Sequence, residues 1–235
     1  MRSTYELECL VDSFDRSARV THQGILVIDN SGVLPVGVSL GKREMKIVHS
    51  PNKFWEFSAM LQGLEDLGSL PASGVLTILN DSFQRNWIIT GASRRYVEAM
   101  YRAASLGNIA GWLDNFSLIR PPRFSRRPNS RLIVVANSMR STMAASLARA
   151  ITRFDEIRNA GGVLFDSDER DRIRAWFSSQ GDRWGSAASA VRLGRVFIEH
   201  HMFDEVPRDR LCLFPRTYAE TLFYGAARRL LGERR

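Results

Sequence analysis

The chain has 235 residues, with 44% hydrophobic and 25% charged residues, which is ordinary for a folded protein and excludes a low-complexity chain. No apolar run approaches the ~20 residues that a bilayer span requires. The net charge of +8 would attract nucleic acid, anionic lipid or phosphorylated substrates, and it does not choose among them.

The two cysteines, Cys9 and Cys212, lie near opposite ends of the chain and form no disulfide framework or CxxC pair. This usage is typical of a reducing compartment. The N-terminus also lacks the charged-then-apolar pattern of a signal peptide. We therefore expect a cytoplasmic protein.

The first eighty residues alternate between helix and strand patterns. A capping-box sequence, Ser3 to Glu6, precedes apolar residues at helical spacing and predicts a helix over 4–17, with a strand as the competing interpretation. A second helix is predicted over 54–68. Strands, predicted from short apolar runs that end in polar residues, lie at 24–30, 44–48 and 75–79.

The strand at 75–79 is the one around which the remaining elements are arranged. It opens after Gly74 and stops abruptly at Asn80, Asp81 and Ser82, the pattern of a strand buried on both faces. Three such strands predict a parallel α/β sheet with a polar cleft at its carboxyl edge. A simple turn or helix cap is the alternative interpretation of the polar residues.

The rest of the chain contains one more apolar strand, 132–136, ending at Asn137. Before it come a turn-rich stretch, 107–114, and a basic segment, 120–131, whose three prolines exclude long regular structure. Helices are predicted at 90–106, 141–158, 168–178, 187–203 and, as a basic amphipathic helix, 217–231. We divide the chain into one α/β domain, 1–215, and a C-terminal helix, 216–235.

The order of these polar-ended strands resembles the GT-A fold of nucleotide-sugar glycosyltransferases, in particular the rhamnan-synthesis and family-2 polysaccharide transferases. The matching motifs are VIDNS at 27–31, Asn52, WEF at 55–57 and ILNDS at 78–82. Two departures stand out. A full Asp-x-Asp is missing, and these transferases open with a strand, so here either the sheet lacks a strand or residues 5–11 supply it.

The resemblance implies a GT-A-like, mostly parallel sheet flanked by helices. It also implies a nucleoside-diphosphate sugar as donor and Mg²⁺ or Mn²⁺ as cofactor. Asp81 is the expected metal ligand, and His201 is a second candidate whose alternative is an exposed helix-end histidine. The residues expected to hold the nucleotide are Asp29, Asn30, Asn52, Glu56, Asn80 and Arg131.

Transfer to an acceptor hydroxyl needs a group that takes its proton, and Asp114 and Glu199 are the main candidates. The hypothesis is transfer of a sugar to a bacterial surface polysaccharide or lipid-linked acceptor. Two alternatives are a degenerate GT-A-fold binding or scaffold protein and a basic nucleic-acid-binding module. The last is disfavoured because no nucleic-acid-binding signature is present, so we expect no nucleic acid as partner. The C-terminal helix leaves open either packing on the domain or peripheral contact with the inner face of the membrane.

Overall fold

The computed structural model describes residues 4–40, 43–68, 71, 73–80, 91–114, 127–179 and 185–215. Seven strands occur in these ranges: β1 (Gly24–Asp29), β2 (Gly37–Leu40), β3 (Glu44–His49), β4 (Val75–Leu79), β5 (Ile109–Asp114), β6 (Arg127–Ala136) and β7 (Leu211–Pro215). The helices are α1 (Thr4–Ala18), α2 (Glu56–Asp66), α3 (Gly91–Ser105), α4 (Arg140–Asn159), α5 (Ser167–Ser179) and α6 (Ala187–His201). Short 3₁₀ turns occupy Asn137–Met139 and Arg208–Arg210.

The strands form two mixed sheets, and the prediction of a mostly parallel sheet is wrong. In the three-stranded sheet, β3 lies between β1, to which it is parallel, and β2, to which it is antiparallel. The four-stranded sheet has the order β4-β6-β5-β7, with β6 antiparallel to both neighbours and β7 parallel to β5. Apolar runs report burial on both faces and not strand direction, which explains the error.

Two segments predicted to be irregular are strands. The turn-rich stretch contains β5, where Gly111 lets Leu213 approach so closely that an added Cβ would lie 3.4 Å from its Cδ2. The basic segment contains the start of β6, because Pro128 stands at the beginning of the strand, where a missing N–H is tolerated. Sequence analysis missed the strands β2 and β7, whereas residues 5–11 belong to α1 and supply no strand.

Alternate residues of β6 divide the core into two layers. Ile133 and Val135 face the layer built from α2, α4, α5 and α6. Leu132 and Val134 face the layer built from α1 and α3. All four side chains are completely or almost completely buried, whereas β4 is only half-buried along its length because it lies at the edge of its sheet. The most buried strand is therefore β6, not the predicted 75–79.

Helix α2 links the two sheets and fixes the direction of β4 relative to β1. It begins beside the end of β1, where the Asn30 side chain donates to the carbonyl of Trp55 over 3.2 Å. At its other end the carbonyl of Leu67 accepts from Arg140, which follows the end of β6, and β6 ends beside the start of β4. Because the helix runs from the end of β1 to the start of β4, the two strands point the same way. Their carboxyl ends therefore share one edge of the molecule.

Candidate functional site

The polar ends of β1, β3, β4 and β5 meet at this common edge, which we call the carboxyl edge. Asp29 is paired in register with His49 at the ends of β1 and β3. Asn80 follows β4, and its N–H donates to the carbonyl of Arg131 over 3.1 Å. Asp114 ends β5 opposite Arg127. The predicted site residues that lie along this edge are Asp29, Asn30, Asn52, Glu56, Asn80, Asp114, Arg131 and Glu199.

The carboxylate of Asp29 organises the loop that follows β1. One oxygen accepts from the N–H and hydroxyl of Ser31, and the other accepts from the N–H groups of Val33 and Leu34, both at 2.8 Å. Burial by itself would raise the pKa of this carboxyl, but these hydrogen bonds outweigh it and lower the pKa to about 2. The carboxylate is ionised and its four lone-pair sites are in use, so it orders the loop and is not left open to a ligand.

Asn30 differs from Asp29 because part of its hydrogen-bonding capacity is unused. Its amide NH₂ is held by Trp55, but Oδ1 is buried and has no partner in the described part of the chain. Buried acceptors of this kind are usually paired, with protein, water or ligand. The atom lies beside the backbone that leads into α2, which is where a nucleotide was predicted to bind.

The turn before α2 has a positive φ at two non-glycine residues. Asn52 has φ 49°, which asparagine tolerates, but Trp55 combines φ 54° with ψ −136°, a conformation that costs about 1–3 kcal/mol. No side chain caps the helix at Trp55. The N-terminus of the helix carries a partial positive charge of the kind that attracts phosphate groups, and the Glu56 carboxylate in the first turn offsets part of it. The Asn52 N–H makes a long contact of 3.4 Å with the Ser50 hydroxyl.

Glu56 begins α2 and is bound by Arg195 of α6, whose Nε donates to it at 3.0 Å. One helical turn later, α6 presents Glu199 to the other half of the edge. There the carboxylate accepts from the hydroxyl of Ser130 at 2.6 Å and from its N–H at 3.3 Å. A single helix thus holds both halves of the carboxyl edge together.

Ser130 is available to Glu199 because of an irregularity in β6. The register with β5 jumps from Gly111–Ile133 to Trp112–Asn129, so residues 130–132 are skipped in the pairing of the two strands. Bulges of this kind free backbone groups and redirect side chains, and they are common beside functional sites. Glu199 and Ser130 are both buried, at 9% and 3% exposure, so the pair is shielded from bulk water.

The contacts of His201 are with residues of its own segment of the chain, not with the residues at the carboxyl edge. Its Nδ1 lies 2.6 Å from Asp204, and its ring packs on Phe197 with centroids 4.5 Å apart. Asp81, its predicted partner at a metal, lies outside the described residues, as do residues 120–126 of the basic segment and the helix predicted at 217–231. Within the described ranges, no group of three or more His, Cys, Asp or Glu residues could hold a metal ion.

Sequence reasoning missed the two residues that hold the carboxylates at this edge, Ser130 and Arg195. The spacing of Arg195 and Glu199, four apart on one helix, could have indicated a shared face. Nothing in the sequence identifies Ser130, because its hydrogen bond to Glu199 depends on the bulge. A second polar cluster around His22 was also missed.

None of the helices in the described ranges combines the length and the apolar character needed to cross a membrane.

Comparisons with protein-family models, curated proteins and solved structures found no significant match for this chain.

Proposed function

We propose that the chain is a glycosyltransferase with a GT-A-like fold, which moves a sugar from a nucleoside diphosphate to a glycan or lipid-linked acceptor. The observation that supports this most directly is the convergence at the carboxyl edge. Residues chosen from separate strands and helices by their resemblance to such enzymes lie along one edge of the molecule. Crevices at the carboxyl ends of strands are the usual ligand sites of open α/β sheets.

In this proposal the two halves of the edge have different tasks. The half at β1 binds the nucleoside: the buried Oδ1 of Asn30 accepts a hydrogen bond from the base or ribose, in a loop shaped by Asp29. The uncapped start of α2, beside Asn52, faces the phosphates with its partial positive charge. Glu56 contributes by fixing α2 to α6 through Arg195.

The half at β4 and β6 carries out the chemistry in this proposal. Asn80 and Arg131, already joined through their backbones, contact the diphosphate, for which the forked donors of arginine are suited. Glu199 is the candidate base for the acceptor hydroxyl, and Asp114 is the alternative. Ser130 orients Glu199 through two hydrogen bonds.

A divalent cation, Mg²⁺ or Mn²⁺, belongs to the proposal through Asp81, with His201 as the second candidate ligand. When bound, it would neutralise charge on the leaving diphosphate. The described residues alone do not provide a complete set of ligands. Water and diphosphate oxygens would have to supply most of the coordination, as is common for Mg²⁺.

The experiment is a thermal-shift screen of nucleoside diphosphates and nucleotide sugars, with and without Mn²⁺. A ligand that binds only the folded state raises Tm, by an amount that grows with its concentration relative to Kd. We expect the shift to be larger with Mn²⁺ and to lose that increment in Asp81→Asn. The matched control is Asp66→Asn, an exposed carboxylate at the other end of α2. An increment that survives in Asp81→Asn would refute the metal role of Asp81.

The carboxylates at the edge are already hydrogen-bonded within the protein, which favours a second candidate function. This candidate is a GT-A-like binding or scaffold protein without catalysis. Asp29, Glu56 and Glu199 each already accept hydrogen bonds from neighbouring protein groups. Such a protein would give the same ligand-dependent Tm shift. It would not release nucleoside diphosphate from a nucleotide sugar in the presence of acceptor, whereas the enzyme would.

A further inference from the structure

Away from the carboxyl edge, four polar side chains form a chain of short hydrogen bonds centred on His22. Its Nδ1 lies 2.6 Å from Asp15, and its Nε2 lies 2.8 Å from the hydroxyl of Thr77. That hydroxyl lies 2.6 Å from the phenol oxygen of Tyr101, which is itself 3.2 Å from Nε2. Arg43 completes the group through a 3.0 Å ion pair with Asp15. We call this set of residues the His22 network.

The donors and acceptors of the His22 network can be matched along the whole chain of bonds. Burial raises the pKa of Tyr101, its hydrogen bond with Thr77 opposes this only partly, and the nearby Asp15 carboxylate raises it further, so the phenol stays protonated. Tyr101 can then donate to Thr77, Thr77 to Nε2, and Nδ1–H to Asp15. Every proton has an acceptor, and the direction of each bond follows from its neighbours.

The His22 network joins elements that no strand ladder joins. Asp15 belongs to α1, His22 precedes β1, Thr77 is the central residue of β4, and Tyr101 belongs to α3. Arg43 immediately precedes β3 and also binds Asp12 of α1 at 2.7 Å. Among the described strands, no backbone hydrogen bonds connect the three-stranded sheet to the four-stranded one. Polar side chains therefore connect the two sheets at this point.

The network lies at the end of β1 opposite the carboxyl edge. Since β1 has six residues, its two ends are about 20 Å apart at roughly 3.3 Å per residue. On β4 the distance is shorter, because Thr77 lies two residues before the end of the strand at Leu79. Hydrogen bonds are directional, so they fix the position of one sheet relative to the other more closely than apolar contacts do. A change at this point would tilt or release the three-stranded sheet and move its carboxyl ends relative to those of β4.

We propose that the His22 network is a latch that holds the three-stranded sheet against the four-stranded sheet. On the side of the three-stranded sheet are His22 and Arg43, which precede β1 and β3. On the side of the four-stranded sheet are Thr77 of β4, Tyr101 of α3 and Asp15 of α1, the helix that packs with α3 on β6. Release of the latch lets the three-stranded sheet open as a unit while the four-stranded sheet stays intact. This inference is independent of the proposed function.

Hydrogen–deuterium exchange of the full chain tests the latch with nearly isosteric variants. Thr77→Val alone leaves Tyr101 within reach of Nε2, and Tyr101→Phe alone leaves Thr77 bonded to it. We expect each to speed exchange in β1 and β3 only a few-fold. The double variant leaves Nε2 without either partner, and we expect about tenfold faster exchange or more, beyond the product of the two single effects. Exchange in β6 should stay unchanged.

The matched control is Tyr96→Phe, on the same helix as Tyr101. Its ring packs on Trp112 with centroids 5.5 Å apart, and its hydroxyl has no hydrogen-bond partner in the described ranges. Exchange in this variant should match the unmodified protein. If the double variant speeds exchange equally in β1, β3 and β6, the network merely adds to global stability and the latch is refuted. Unchanged exchange in all three strands refutes it as well.

Discussion

Replacing Asp29 with asparagine tests whether an ionised carboxylate orders the loop at the carboxyl edge. Each carboxylate oxygen accepts two hydrogen bonds, from Ser31 or from Val33 and Leu34. The asparagine amide keeps only one oxygen and turns its NH₂ towards two other donors. An unmatched pair of N–H groups would cost about 2–4 kcal/mol if dry, but this loop is partly exposed and water can reach it, so we expect the lower end.

The lowered pKa of Asp29, which arises from the same hydrogen bonds, corresponds to a similar magnitude. A shift from 3.8 to about 2 corresponds to about 2 kcal/mol at roughly 1.4 kcal/mol per pKa unit. Because the pKa is lower in the folded state, this stabilisation is complete above pH 3.8 and is lost as the pH falls through about 2. Asp29→Asn cannot titrate, so its deficit in unfolding free energy should shrink over that range.

Urea unfolding from pH 6 down to pH 2.5 measures both quantities, with the exposed Asp66→Asn as the control for charge loss alone. We expect Asp29→Asn to be about 2 kcal/mol less stable near neutral pH and closer to the unmodified protein at the acidic end. A deficit of the same size at both ends would show that ionisation of Asp29 does not order the loop. A deficit no larger than that of Asp66→Asn would refute the magnitude.

Three further predictions concern packing, the bulge and the C-terminal helix. Gly194→Ala should lower the unfolding free energy by ~1–2 kcal/mol, because the new Cβ would lie 2.7 Å from the ring of Phe154 in α4. Overpacking of this kind costs ~1–3 kcal/mol, which exceeds the gain in helix propensity from glycine to alanine. Gly63→Ala, with its nearest neighbour at 3.5 Å, should instead be neutral or stabilising in the same urea titration. Ser130→Ala should destabilise the protein by ~1–3 kcal/mol, because it removes the 2.6 Å hydrogen bond to Glu199. Ser130→Thr keeps the hydroxyl and should restore most of that stability. Equal Tm values for the two variants would show that this hydrogen bond does not stabilise the fold. Deletion of 217–235 should lower stability by several kcal/mol if its large apolar side chains pack on the domain at ~1.5–3 kcal/mol each, whereas an unchanged Tm with lost binding to anionic liposomes would support membrane contact.

Local pattern alone was sufficient for most of the elements. The helical spacing of apolar residues predicted α1, α2 and α4 to within about two residues at each end, and the polar-ended apolar runs predicted β1, β3 and β4. These signals work because a helix or strand repeats its burial pattern over several residues. The same runs also indicated which polar residues follow each strand, and hence most of the carboxyl edge.

Strand direction, pairing and burial were decided by tertiary structure. An apolar run does not record which neighbour it pairs with, so the antiparallel β6 and the edge position of β4 could not be predicted. The strand β5 was hidden because Gly107, just before it, and Gly111, within it, resemble turn residues, although at Gly111 the absence of a side chain permits close packing with Leu213. The partner of Glu199 depends on a bulge that appears only when β6 pairs with β5. The His22 network joins residues up to 86 positions apart, from Asp15 to Tyr101, and no periodic signal in a sequence records a contact that only the folded chain creates.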